Sequence, residues 1–474
     1  MTLDVFKTDI AMAAKDRSLA RGVIGDGMMI PGAAGDVPLV YADYVASGRA
    51  MRQVEAFIAD HLLPYYANSH TEASFCGSYV TRMRRAARAE IARVTNCGPE
   101  DAVIFAGAGA TAGLNRLVSL FGVNEARNPV VFVGPYEHHS NILPWRESKA
   151  KVVAIPEARD GGIDLDVLQQ ALLDHASSDL RIGSFSAASN VTGILTDPDP
   201  ISRMMHAAGG LVIWDYAGGG PYVRISMAGE HGAHKDAVVV SPHKFPGGPG
   251  ASGVLLVNRG AVQRRCPSWP GGGTVSFVSP WGHEYSADLA AREEAGTPNV
   301  IGDIRAALAF LVKEAVGEAE IASKEARFAE MARAGWANNS QLSLLGHASA
   351  HRLPIFSFTV KGASGAPVHQ QLFTRMLSDH YGIQARGGCA CAGPYAHRLL
   401  GIGRAESDAL FAALQSGKEL QKPGWVRLNF SYLMSDETVQ YIVDSVNDLC
   451  LRAEDLAQSY LADPKTARFQ PRAA

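Results

Sequence analysis

The chain has 474 residues, of which 47% are hydrophobic and 19% charged, and its formal net charge is -3. Such a length exceeds one ordinary core and implies a large and a small domain, while a near-neutral balance with no block of like charges excludes the electrostatic footprint of a nucleic-acid or membrane-surface binder. Six scattered cysteines exclude the disulfide framework of a small secreted protein.

The N-terminus is charged and lacks an apolar core of secretory length, and no later stretch reaches ~18 uninterrupted apolar residues. A cytoplasmic location is therefore expected, with small molecules or proteins as partners and neither nucleic acid nor membrane. Residues 1–38, turn-rich over 30–36, read as an arm that packs on a partner or on the small domain. From Asp101 onward short apolar runs alternate with helix-length segments, at 102–105, 130–133, 152–155, 180–185, 211–214, 237–240 and 253–257. This pattern predicts an α/β fold, with a mainly parallel seven-stranded sheet in a large domain over 39–335 and helices on both faces. Ligands of such sheets bind beyond the carboxyl ends of the strands, which gathers the loop after Phe105, His138, Asp215 and Lys244 around one cleft. A helix-rich stretch over 304–334 leads to a smaller α+β domain over 336–474, whose tail from 463 onward reads as loose.

Chemistry enters at 238–244, where an apolar strand delivers Lys244 into a glycine-rich turn. Burial disfavours a lysine's charge and frees its amine to form a Schiff base with a carbonyl. A solvated surface lysine is the alternative until Asp215 is considered. This carboxylate ends another apolar strand, where it can pair with a pyridinium nitrogen, and the two together suggest pyridoxal phosphate. The segment Gly107 to Asn115 follows a strand and opens a helix. Backbone N–H groups of Ala110 and Thr111, with the Thr111 hydroxyl, can meet a phosphate there, although an ordinary tight turn reads the same way. Cys389 and Cys391 lie between glycines and Ala-Gly-Pro394, a setting that suits a reactive thiolate on an exposed loop. A structural pair and a redox pair remain open. No second Cys/His pair has zinc spacing, so no metal is expected.

Taken in order, these motifs resemble class V, fold-type-I pyridoxal-phosphate enzymes, in the branch of cysteine desulfurases and selenocysteine lyases. The resemblance is carried by Tyr41-Ala-Asp43, Gly109 to Asn115, Glu137-His138-His139-Ser-Asn141 to Trp145, Ser189-Asn190-Val191 and Asp215. It continues through Ser241-Pro-His243-Lys244, Gly271-Gly-Gly-Thr274, Glu294 to Asn299, Arg386 to Ala392 and Val426-Arg427-Leu-Asn429. The Cys-x-Cys is also similar to the desulfurase domain of molybdenum-cofactor sulfurases.

The resemblance implies that Lys244 holds the cofactor, Asp215 keeps its ring nitrogen protonated, and His138 stacks on the ring and serves acid–base steps. Asn190 would contact the phenolic oxygen. Ala110, Thr111, Ser241 and His243 would hold the phosphate, joined by Thr274 from a second subunit, which implies a homodimer. Arg427, with Arg386 as second candidate, would clamp the amino-acid carboxylate, and Asn141 is grouped with the substrate. Cys391 matches the nucleophile that takes sulfur from L-cysteine or a related thio or seleno amino acid, leaving alanine and a persulfide for a protein acceptor. Cys389 would be a resolving or second acceptor thiol.

Two departures are visible. Gly218 stands where many desulfurases carry a glutamine near the phenolic oxygen, with Tyr216, Asn190 or water as the replacement, and residues 395–423 form an insertion that compact bacterial desulfurases lack. The competing readings are another class V reaction (transamination, epimerisation or C–S β-elimination) with both cysteines incidental, and a cofactor-binding scaffold without catalysis.

Overall fold

The computed structural model describes residues 3–69, 72–348 and 350–472, so residues 1–2 of the arm and 473–474 of the tail lie outside the described residues. All seven apolar runs form strands: β1 (Asp101–Gly107), β2 (Pro129–Val133), β3 (Lys151–Ala154), β4 (Leu180–Ser186), β5 (Leu211–Asp215), β6 (Ala237–Val240) and β7 (Gly253–Asn258). They pair in the order β1-β7-β6-β5-β4-β2-β3, with β7 antiparallel to both neighbours and every other pair parallel. Val238, Val239 and Val240 are wholly buried. Unbroken apolar runs of this kind are what a sheet covered on both faces requires.

The chain divides into two compact units, one of residues 1–24, 47–188 and 195–320, the other of 25–46, 189–194 and 321–474. The second starts at 321 rather than 336 because the helix Glu318–Trp336 sends Phe328, Ala329, Ala332 and Trp336 into its core. Its sheet runs in the spatial order Leu342–Leu344, Ile355–Lys361, Trp425–Asn429, Arg386–Gly388. Phe356, Phe358 and Val426 from that sheet share a core with Phe373 and Val443 of the helices Gln370–Tyr381 and Asp436–Ala457.

The two ends of the chain differ from expectation. Within the arm, the helix Asp4–Lys15 belongs to the first unit, where Phe6 packs on Phe57 at 5.3 Å between rings and Lys7 pairs with Glu90 at 2.8 Å. From residue 25 onward the arm, with its hairpin Met29–Gly32/Gly35–Pro38, belongs to the second unit. The tail is not loose: Tyr460–Asp463 and Arg468–Pro471 pair as a second hairpin, anchored by buried Tyr460, whose hydroxyl donates to Asp379 at 2.9 Å. No helix among the described residues is long and apolar enough to cross a membrane.

Candidate active site

In the first unit the groups gather at the carboxyl ends of β5 and β6. Asp215 is the last residue of β5 and only 3% exposed, and its Oδ1 accepts the Ala217 N–H at 2.7 Å. Burial pushes its carboxyl up, while that N–H and the charge of Lys244 pull it part of the way back. Lys244 ends the short 3₁₀ turn Pro242–Lys244 after β6, half-buried. Desolvation and the Lys244 charge together depress His243 to about 4, so that imidazole is neutral at neutral pH.

The glycine-rich turn closes the same corner. Ser241 Oγ accepts the Ala110 N–H at 2.9 Å, and Thr111 Oγ1 lies 2.7 Å from Ser140 Oγ. The Ala110 donor expected at a phosphate is thus already held by Ser241, whose own hydroxyl proton stays available to an anion. His138 Nδ1 accepts the Ser140 N–H at 3.1 Å, which assigns the ring proton to Nε2.

Beneath His138 lies a polar network that the sequence did not reveal. Glu137, fully buried, accepts from Ser186 N at 2.9 Å, Ser186 Oγ at 2.5 Å and Asn141 Nδ2 at 2.6 Å. Asn141 therefore does not present its amide to a substrate: it has no exposed surface, and its Oδ1 takes Trp145 Nε1 at 3.3 Å and Ser184 Oγ at 2.5 Å. Thr274 is likewise turned inward, fully buried, with its hydroxyl donating to the Gly271 carbonyl at 2.7 Å. Glu294, from another of the family motifs, is structural: burial acts to raise it, but Arg88 and Arg84 outweigh that and hold it low, and it accepts the Phe105 N–H at 2.7 Å where β1 ends. Tyr216, next to Asp215, is buried, and burial, with Asp199 and Asp197, raises its phenol.

The second unit holds its own cluster. Arg427, 3% exposed, donates Nη2 to Asp43 Oδ1 at 2.8 Å and Nη1 to the Asn190 carbonyl at 3.0 Å, while its Nε is buried with no partner among the described residues. Arg386, half exposed, donates Nε to the other Asp43 oxygen at 2.9 Å. One carboxylate thus orders both arginines. The Asn190 amide, expected at the cofactor, donates instead to the Ala390 carbonyl at 2.9 Å. Ala390 and Cys391 both have left-handed backbones, φ 53° and 54°, uncommon for residues other than glycine. Cys391 is exposed and unbridged, and Cys389 is half-buried and also free.

The sequence model of the class-V aminotransferase family matches residues 40–442. The chain belongs to that family. Among curated relatives, a probable cysteine desulfurase of Vibrio cholerae is 28% identical over 365 residues, 75% of this chain and 85% of that one. Another from Halalkalibacterium halodurans is 26% identical over 362 residues, with the same coverage. Among solved structures, a cysteine desulfurase of Thermococcus onnurineus superposes with a TM-score of 0.72 at 22% identity, over 87% of this chain and 94% of that one. The Escherichia coli cysteine desulfurase CsdA gives 0.68 at 23%, over 88% and 94%. These likenesses show that the chain shares the fold of those solved structures.

Enzymes of the class-V family depend on pyridoxal phosphate, and so does this one. The first unit's residues fit that cofactor. Gly109 sits at φ +60°, and a Cβ there would come within 3.0 Å of Ser241 Oγ and 3.1 Å of His243 Cε1, so the bare glycine keeps a hollow lined by hydroxyl and imidazole groups at a helix start. Asp215, raised by burial and facing the charge of Lys244, is the type of carboxylate that a pyridinium nitrogen stabilises.

Two predictions follow from the buried groups. Burial raises Glu137 to about 7, against the hydrogen bonds of Ser186 and Asn141, from a usual value of 4.5. A folded-state pKa above the unfolded one stabilises below the unfolded value, and that contribution is lost as pH rises through about 7. Relative to Glu137→Gln, the wild type should lose about 3 kcal/mol of unfolding free energy from pH 4.5 to beyond pH 7. A flat difference across that range in denaturant titrations would remove Glu137 as a titrating core group. Asp43→Asn should strip Arg427 of its countercharge and cost about 3 kcal/mol, since an uncompensated buried charge remains. Unchanged denaturation midpoints and an unchanged KM for the amino-acid substrate would show that Asp43 does not order the arginines.

Proposed function

We propose that this enzyme is a cysteine desulfurase, converting L-cysteine to alanine with transfer of sulfur to Cys391. The observation that carries this reading is the tether of the Cys391 loop: the Asn190 amide fixes Ala390, the Asn190 carbonyl is fixed by Arg427, and Cys391 is left exposed on a left-handed backbone. A strained, solvent-facing cysteine one residue from an anchored carbonyl is a thiol positioned for reaction, whereas a structural cysteine would be packed among apolar groups. The names of the two curated relatives point the same way.

On this reading Ser241, Thr111 and the helix start at Gly109 hold the cofactor's phosphate, Asp215 pairs with its ring nitrogen, and Lys244 anchors it. When bound, the cofactor supplies an electron sink for the α carbon. Arg427 and the half-exposed Arg386, both held on the Asp43 carboxylate, are the guanidinium groups for the substrate carboxylate. Lys244 removes the α proton, and His138 supplies a proton relay from Nε2. Cys391 thiolate attacks the substrate sulfur: an S–S bond forms, the C–S bond breaks with its electron pair leaving to carbon, and protons on carbon complete alanine. The persulfide is discharged by a thiol of a protein acceptor or a reductant.

The working form is a homodimer. Support comes from the hairpin Val275–Ser279/Gly282–Tyr285, which exposes Phe277, Val278 and Trp281 together, the last at 92%. Sedimentation as a monomer at working concentration speaks against it. The function is tested by a substrate screen on purified enzyme with a dithiol present, scoring alanine, sulfide and keto acid together. L-cysteine should yield alanine and sulfide in equal amounts. Keto acid without alanine would replace this reading by transamination or C–S β-elimination.

A further inference from the structure

We propose that His206, His234 and Asp236 form a binding site for a borderline divalent metal ion such as zinc at the amino-terminal edge of the large sheet. His206 lies in the last turn of the helix Pro198–Ala207, and Asp236 immediately precedes β6. The site is therefore at the opposite end of the strands from Asp215 and Lys244 and shares no residue with the chemistry above. One ligand atom from each of the three side chains lies within 4.8 Å of the others.

The geometry is close to that of a coordination sphere. Asp236 is 5% exposed, its Oδ2 accepts the Val212 N–H at 2.8 Å, and the same oxygen is 2.9 Å from His206 Nε2. A backbone donor fixing a ligand carboxylate is the outer-shell support that metal sites use. Zinc bonds of about 2.0 to 2.1 Å at tetrahedral angles place neighbouring ligand atoms about 3.3 Å apart. His206 and Asp236 are already near that spacing. His234, whose ligand atom lies within 4.8 Å of the other two, has to close to meet it; it is exposed, with its ring stacked on His206 at 4.0 Å and 16°.

Charge and donor type agree with this assignment. His206 Nε2 is the ring nitrogen that faces Asp236. Lys235, between two of the ligands in sequence, is turned away and neutralised by Asp199 at 2.9 Å. Two imidazoles and one carboxylate suit zinc and its neighbours rather than calcium or magnesium, which require more oxygen ligands. A metal at His206 Nε2 would displace the proton between His206 and Asp236, leaving the neutral imidazole protonated at Nδ1 and a fourth position to water.

The test uses holoenzyme with its thiols blocked by N-ethylmaleimide and bound metals removed, titrated calorimetrically with Zn²⁺ alone. The wild type should take up one equivalent with micromolar or tighter affinity. His234→Ala, an exposed position that the fold tolerates, should weaken uptake about 100-fold or more, and His231→Ala, an exposed histidine of the same loop, should bind as wild type. Absence of a stoichiometric site in the wild type, equal affinity in His234→Ala, or an equal loss in His231→Ala would each overturn the proposal and leave His206 and Asp236 as a metal-free structural pair.

Discussion

Lys244→Ala should abolish turnover, with a loss on the order of 10⁴-fold or more, because it removes the cofactor's anchor and the base at the α carbon together. The electrostatics around it specify accompanying changes. The Lys244 charge lowers both Asp215 and His243, and burial pushes Asp215 up and His243 down. Without that charge Asp215 rises further and His243 recovers toward its ordinary value. The variant should lack the visible absorption of covalently held pyridoxal phosphate while unfolding as the wild type does. A small primary amine such as methylamine should restore part of the activity, since it supplies the missing nitrogen but not its position. Normal absorption and turnover in Lys244→Ala would remove the central assignment.

The strands around Lys244 were legible in the sequence because each is a continuous apolar run bounded by Gly, Pro or charged residues, as in 237–240 and 253–257. The groups at their carboxyl ends followed from that. What remained hidden depends on distance in sequence and on burial. Asp43 orders Arg427 across 384 positions, and no local pattern reports such a pair. Asn141 resembled a functional residue because it shares a motif with His138, yet its amide belongs to the Glu137 network. Lys313 reads as one more charge on the helix Val300–Val316. It is buried instead, pushed down to about 7, and binds the carbonyls of Gly220 and Val223 in the loop that follows Asp215. The tail hairpin was missed because Pro471 and a charged turn obscure its short alternation.

Cys391→Ala should keep the cofactor and still bind L-cysteine, shown by a substrate-induced change in the cofactor's absorption, yet lose alanine and sulfide production by about 100-fold or more. The proposed reaction has two chemically distinct parts. On the proposed reading Lys244 and Asp215 act on the α carbon, which any amino acid presents, whereas sulfur is passed to a nucleophile able to accept it, and a thiolate is that group. The loop carrying Cys391 is fixed from behind through Ala390 and Asn190 rather than through the thiol itself, so truncating Cys391 leaves Arg427 and Asp43 in place. Substrate affinity should therefore hold while kcat collapses. Cys389→Ala should be milder, because Cys389 is half-buried whereas Cys391 is exposed on the left-handed backbone. Asn190→Ala offers a further check: losing the tie to Ala390 should lower kcat with Cys391 intact. Wild-type desulfuration by Cys391→Ala would mean that sulfur departs without a protein nucleophile, and a class V β-elimination would then be the reaction of this enzyme.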